Sequence, residues 1–366
     1  SMIHDVAIVG AGMAGASLAA ELTAHGVSRI ALLEAEDRPG YHATGRSAAF
    51  WEECYGGPEI TPLTLASGDY LRRHGVLTRR GALYVGRAED EGRMAAFCTR
   101  FATSGATFER VDHTAAQRMV PGLNAEWDRG IEQPDCADID VAGLHQHYLG
   151  VAVRAGVIPR NRSRVAALAR ADGVWTVALE NGETLRARTI ANAAGAWADG
   201  IAMMAGAVPI GITPFRRTVV QVRTDPPPLP DQPLVLDISG TFYFRPESGR
   251  LWLSPQDETP SNPTDAAPEE WDVALAIERF GQVIDAQIQA VERKWAGLRS
   301  FAHDRLPVYG FDPVVDGFFW FAGQGGFGIQ TAPAAARLAA QLFVDAPRDG
   351  MTLNLDAARY SPDRFS

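Results

Sequence analysis

Residues 3–36, IHDVAIVGAGMAGASLAAELTAHGVSRIALLEAE, constrain the fold more than any other stretch of this chain. They read as strand, glycine turn, helix and second strand, with an acid where the second strand ends. Val6 to Val9 is a short buried strand. Gly10 makes the tight turn, Gly12 lets the backbone approach a pyrophosphate, and Gly15 lets helix and strand pack closely. A helix over residues 13–25 then aims its N-terminal N–H groups and positive dipole end at the phosphates. Glu34 lies 34 − 10 = 24 positions beyond the first glycine, near the roughly 20 expected of a carboxylate that accepts hydrogen bonds from a ribose. That acid repels an added 2′-phosphate, which disfavours NADP and leaves FAD or NAD.

The 366 residues suggest about two domains. A net charge of −10 argues against a nucleic-acid or anionic-membrane partner. No run approaches the ~18 apolar residues of a membrane span, and the first strand begins at once without room for a signal peptide, so a cytoplasmic protein is expected. Ser1 before Met2 reads as a cloning remnant. Cys54, Cys98 and Cys136 are few and widely spaced, which fits reduced thiols rather than disulfides or zinc. No metal site is expected, and His145 with His147 reads as a solvated helix face. Lys294 is the only lysine.

Residues 38–55, RPGYHATGRSAAFWEECY, have no sustained period and read as a functional loop. Residues 56–140 form an insertion with a strand at 82–85. A helix over 141–155 follows, then strands at 164–169, 174–179 and 184–186 joined by Asp172-Gly173 and Asn181-Gly182 turns, a meander signal. Residues 188–197 are an apolar strand running into a small-residue turn, with a helix over 198–206. A second insertion, 208–310, carries strands at 217–223, 241–245 and 251–253 and a long amphipathic helix over 269–291. The strand FFWFAG, the turn QGGFGIQ and the helix TAPAAARLAAQLF close the chain. The nucleotide domain is therefore discontinuous, whereas a plain NAD domain would be one block.

With these blocks in view the sequence resembles the FAD-dependent D-amino acid oxidase and dehydrogenase superfamily, in its glycine and sarcosine oxidase branch. Within that branch it resembles the bacterial D-arginine dehydrogenases. VGAGMAGAS, GYHATGRSAA, ADIDVAGLHQHYL, NAAGAWAD, the FRR and FYFRP strands, WAGLRSF and GFFWFAGQGGFGIQTAP carry the likeness over nearly the whole chain. The resemblance implies an α/β protein. Its discontinuous, Rossmann-like FAD-binding domain (1–55, 141–207 and 311–366) has a parallel sheet plus β-meander. Its α+β substrate domain (56–140 and 208–310) is built on an antiparallel sheet. It further implies that FAD meets Gly10, Ala11, Gly12, Met13 and Gly15 at the pyrophosphate turn and Glu34 and Ala35 at the ribose. The loop Thr44, Gly45, Arg46, Ser47 and Ala48 would stand at the flavin end. Val165 would bracket the adenine, Ala194, Gly195 and Trp197 would line the cofactor, and Gly325, Gly326, Phe327, Gly328, Ile329 and Gln330 would reach the isoalloxazine. Relatives with covalent FAD often use a cysteine in the C-terminal half; this chain has none after Cys136, so non-covalent FAD is expected.

The implied chemistry places a substrate Cα near flavin N5, passes a hydride, and leaves an imino acid that water hydrolyses to the 2-oxo acid. A carboxylate is best fixed by planar guanidinium forks. Arg217 and Arg299 match the carboxylate-binding arginines of the relatives, Tyr243 the hydroxyl that completes the clamp, and Tyr55 a further substrate-contacting tyrosine. Phe50, Ala82, Gly326 and Gln330 would line the substrate pocket. Where the arginine-specific relatives carry a guanidinium-binding glutamate this chain has Ala82, and where they carry an active-site histidine it has Phe50. The expected substrate is therefore a D-amino acid with a neutral or apolar side chain. Glu52 and Glu53 could restore cation binding, although loop acids more often face solvent. Strand alternation from Arg299 puts Lys294 on the opposite face, which favours a dehydrogenase with an unidentified electron acceptor over an oxidase. The alternatives are a flavoenzyme for secondary amines or 2-hydroxy acids, and a non-catalytic FAD-binding subunit.

Overall fold

Val6, Ala7 and Ile8 are fully buried without alternation, the mark of a parallel strand covered on both faces. In the computed structural model, which describes residues 2–366 and so leaves Ser1 outside, the strand Ile3–Val9 stands at the centre of a sheet. Thr184–Asn192 pairs parallel to it on one side and Ile30–Leu33 on the other, with Ile158–Arg160 beyond the latter. Phe318–Ala322 joins parallel to the end of Thr184–Asn192, while the start of that strand pairs antiparallel with the meander Val174–Leu179 and Val165–Ala171. The expected separate strands at 184–186 and 188–197 are thus one, shared between meander and parallel sheet. Asp172 (φ 54°) and Gly173 (φ 75°) supply the left-handed turn that the meander needs. The helices Met13–Ala24 and Ala332–Val344 bury Leu18, Leu22 and Leu338 on one face of the sheet.

The second sheet has nine strands. Thr213–Asp225 pairs along its whole length with Gln287–Phe301, and the sheet continues through Arg250–Ser254, Tyr243–Glu247 and Leu234–Asp237. There it meets Ala82–Gly86, Arg129–Gln133 and Glu109–Asp112 from the first insertion. That joint, Leu234–Asp237 on Ala82–Gly86, is parallel, so the expected antiparallel sheet is mixed at one seam. The helix expected over 269–291 spans only Glu270–Val283. From Gln287 the chain enters the long strand instead, because pairing with Thr213–Asp225 outweighs the helical preference of AQIQAVERK.

A small third sheet anchors residues 50–55: Phe50–Trp51 pairs with Ala137–Ile139, which also pairs with Leu77–Arg79. Glu52 and Glu53 are not solvent-facing but buried, 0% and 3% exposed. The Tyr84 hydroxyl donates to Glu52 Oε2 at 2.5 Å and the Cys54 N–H to Oε1 at 3.1 Å. Burial raises both carboxyls to about 7, against an ordinary 4.5.

Two outcomes follow from this packing. A Cβ at Gly15 would lie 1.7 Å from the Gly10 carbonyl oxygen, so Gly15→Ala forces the helix off the turn and is expected to lower stability by about 1–3 kcal/mol in denaturant unfolding. Glu52 ionises in the ordinary range when unfolded but only near pH 7 when folded, so between those values the unfolded state binds fewer protons and stability falls as pH rises. Glu52→Gln is expected to gain about 2–3 kcal/mol on wild type between pH 5 and pH 8; parallel stability curves would show that Glu52 is not held protonated.

Candidate functional site

The C-terminal ends of the parallel strands and one face of the second sheet enclose a cavity of about 400 Å³. On the parallel-sheet side it is lined by Gly10, Gly12, Met13, Glu34, Ala35, Val165, Ala194, Gly195 and Trp197. Thr44, Arg46, Ser47 and Ala48 and, from the last block, Gly325, Gly326, Gly328, Ile329 and Gln330 line it too. Ala11, Gly15, Gly45 and Phe327 stand just outside the lining. Gly10 takes φ +105°, and a Cβ there would lie 2.3 Å from the Ala193 carbonyl oxygen. Glu34 is buried at the end of its strand, with its carboxylate accepting the Ala11 N–H at 3.2 Å and the Glu36 N–H at 3.1 Å. A side-chain-free turn, a helix N-terminus and an acid at the neighbouring strand end fit a dinucleotide.

The surrounding contacts refine this picture. The Met13 N–H donates to Thr44 Oγ1 at 2.9 Å, so the loop of residues 40–48 closes directly on the helix N-terminus. Arg46 reaches across the cleft to the Ala266 carbonyl at 2.8 Å and to Asp265. His145, expected on a solvated face, is buried, and its Nε2 lies 2.8 Å from the Ala11 carbonyl oxygen beneath the glycine turn. The signal was present in the sequence: Leu144, His145, Tyr148 and Ala152 recur at helical spacing on the buried face.

The second sheet contributes Arg217, Tyr243 and Arg299 to the same cavity, and Tyr55 and Phe50 enter from the loop. Arg217 lies opposite Gly297 and Arg299 opposite Phe215 in the long strand pair, so both guanidiniums leave one face of the sheet. Arg299 Nη2 donates to the Tyr55 hydroxyl oxygen at 3.1 Å and Arg217 Nη1 to the same oxygen at 3.4 Å. Burial alone would raise the Tyr55 pKa, but the Arg299 and Arg217 charges outweigh it and bring the hydroxyl below the usual tyrosine value. Burial lowers the Arg299 pKa from its ordinary value and raises that of Tyr243. Gly326 is pressed against Arg299: a Cβ would sit 2.2 Å from Nη2.

Gln330 has a structural task that its sequence position did not disclose. Its Nε2 donates to Thr64 Oγ1 at 2.9 Å and lies 3.3 Å from the carbonyl oxygens of Glu52 and Tyr55, tying down the turn that presents Tyr55. Phe50 packs edge-on against Tyr55 and Tyr243, at 5.3 and 5.8 Å between centroids. Ala82 lies outside the cavity lining, in the apolar cluster behind those rings, and the Glu52 carboxyl turns to Tyr84 in the same region. Lys294 pairs with Glu270 on the other side of the sheet and does not line the cavity. Asp257 and Glu258, which meet Arg217 and Arg299 from a loop, carried no sequence signal, because a polar loop residue looks the same whatever it faces. Among the described residues no helix is long and apolar enough to cross a membrane.

The likeness to known proteins spans this whole arrangement. Residues 5–342 match the FAD dependent oxidoreductase family, DAO. The chain is 27% identical to glycine oxidase of Geobacillus kaustophilus (strain HTA426) over 364 residues, 93% of this chain and 92% of that protein. The crystal structure of glycine oxidase from Geobacillus kaustophilus superposes with a TM-score of 0.84 at 22% identity, covering 99% of this chain and 98% of the other. L-proline dehydrogenase from P. horikoshii gives 0.85 at 20% identity, with 99% and 98% covered. Against FAD-dependent oxidoreductase domain-containing protein 1 of Xenopus laevis the identity is 27% over 191 residues, 48% of this chain but only 38% of that longer protein. The fold is that of the glycine oxidase structures, and the chain belongs to the DAO family of FAD-dependent oxidoreductases.

Proposed function

We propose that the chain is an FAD-dependent dehydrogenase that deaminates D-amino acids with neutral or apolar side chains. One observation carries the reading: Arg217, Arg299 and the Tyr55 hydroxyl meet at one wall of the cavity whose other wall is the dinucleotide turn. In this reading residues 1–55, 141–207 and 311–366 hold FAD and residues 56–140 and 208–310 receive the substrate. Gly10 to Met13, Glu34, Val165, Trp197 and the turn from Gly325 to Gln330 would hold the cofactor. That none of Cys54, Cys98 and Cys136 lines the cavity supports a non-covalent hold. Bound FAD supplies the acceptor for a hydride from the substrate Cα.

The chain's own residues then have separable tasks. Arg217 and Arg299 accept the substrate carboxylate between their forks, and the Tyr55 and Tyr243 hydroxyls fix its rotation, which aims the Cα–H bond. Phe50 and Tyr243 receive the side chain. Behind them stand Ala82 and a Glu52 whose carboxyl turns to Tyr84 and does not line the cavity, so a cationic side chain finds no carboxylate partner there. This supports a neutral side chain over the arginine of the D-arginine dehydrogenases. The place of Lys294, paired with Glu270 away from the cavity, supports a dehydrogenase with a carrier other than oxygen. The same clamp also suits secondary amines and glycine, the substrate classes named in the relatives glycine oxidase and L-proline dehydrogenase.

Anaerobic mixing with D-leucine, D-phenylalanine or D-methionine is expected to bleach the flavin band, at about 450 nm as a property of the cofactor, faster than D-arginine, sarcosine or a D-2-hydroxy acid. Faster bleaching by D-arginine would overturn the side-chain assignment, and stoichiometric peroxide in air would make the protein an oxidase. Arg217→Lys and Arg299→Lys each replace a planar fork with a point charge and are expected to raise KM by about 10–100-fold, the worth of a charge-assisted hydrogen bond.

A further inference from the structure

Glu258 touches both clamp arginines, and the reaction proposed above gives it no role. Its Oε1 lies 3.0 Å from Arg299 Nη1, 3.5 Å from Arg217 Nη2 and 2.8 Å from Arg305 Nη2. The turn that carries it is fixed by its neighbour: the Asp257 carboxylate accepts the Thr218 N–H and hydroxyl, both at 2.7 Å, and the Asp257 carbonyl accepts Arg217 Nε at 3.0 Å. Both arginines line the cavity and the exposed Glu258 does not, so it meets the guanidiniums outside that lining. Arg305 is itself held in place, its guanidinium 3.9 Å from the Phe301 ring centroid. Three guanidiniums thus share one carboxylate oxygen beside the anion site.

We propose that Glu258 is the counter-charge of the clamp: it positions the Arg217 and Arg299 forks from outside the cavity lining, and its negative charge makes the site select monocarboxylate over dicarboxylate ligands. The proposal rests on the clamp reading above. Its physical basis is that repulsion from a fixed charge scales with the charge of the ligand, so a dianion meets twice the penalty of a monoanion. A surface-proximal charge is partly screened, and Glu258 is 37% exposed, so the effect is moderate. Selectivity then comes from a repulsive element as much as from the attractive forks.

The test uses the FAD-loaded protein with acetate and malonate as probes, binding being read from flavin absorbance changes and calorimetry rather than turnover. Glu258→Gln keeps an acceptor oxygen but removes the charge, and is expected to tighten acetate by about threefold and malonate by about tenfold. Glu258→Asp keeps the charge and is expected to preserve the wild-type preference between the probes. An unchanged acetate-to-malonate ratio in Glu258→Gln, or equal weakening of both probes in both variants, would reduce Glu258 to packing and overturn the proposal. Wild-type protein that binds neither probe overturns it together with the clamp. If the probes bind but no D-amino acid reduces the flavin, only the substrate assignment fails.

Discussion

The register of one strand pair decides whether this molecule has a site at all. Thr213–Asp225 and Gln287–Phe301 run antiparallel so that Arg217 faces Gly297 and Arg299 faces Phe215. Both arginines therefore leave the sheet on its cavity side as diagonal neighbours, with the side-chain-free Gly297 opposite Arg217. A slip by one residue in either strand would turn one guanidinium to the opposite face, where Lys294 now pairs with Glu270. The irregular steps in this pair fall at Gln221/Val222 and Arg223/Thr224, beyond the arginines, so the register beside them is undisturbed.

Holding two buried cations side by side is costly unless every donor finds an acceptor. Here the acceptors come from two separate parts of the chain: the Tyr55 hydroxyl from the 50–55 segment, and the Asp257 carbonyl and Glu258 carboxylate from the loop after Arg250–Ser254. Tyr55 in turn is placed by Gln330, at the mouth of the last helix, and its turn is held by the buried Glu52–Tyr84 bond. The glycine-turn side of the cavity and the second sheet are thus joined through one tyrosine. A charge pair that would destabilise an isolated sheet becomes the point on which the separate sheets converge.

The legible part of the sequence was the local part. Gly10 turns the chain by its own φ of +105°, Gly15 packs on Gly10 five positions back, and Glu34 lies at a fixed offset from the same turn, so each could be read locally. The Asp172-Gly173 turn was readable for the same reason. What escaped depends on distant partners. Residues 287–291 extend the amphipathic pattern of the preceding helix and become strand because Thr213–Asp225 offers a long ladder. Glu52 and Glu53 look like solvent-facing loop acids until the Tyr84 strand and the small third sheet enclose them. His145 needed the helix face to be weighed against the glycine turn above it. The pairing of Arg217 with Arg299, 82 positions apart, was carried by resemblance and not by any spacing in the chain.

A crystal structure of the FAD-loaded protein with a bound, unreactive carboxylate such as benzoate tests the clamp most directly. The expected result has carboxylate oxygens within about 3 Å of guanidinium nitrogens of both Arg217 and Arg299, with the rest of the ligand beside the flavin ring and against Phe50. A carboxylate seated elsewhere in the cavity, with both guanidiniums turned away from it, would contradict the assignment.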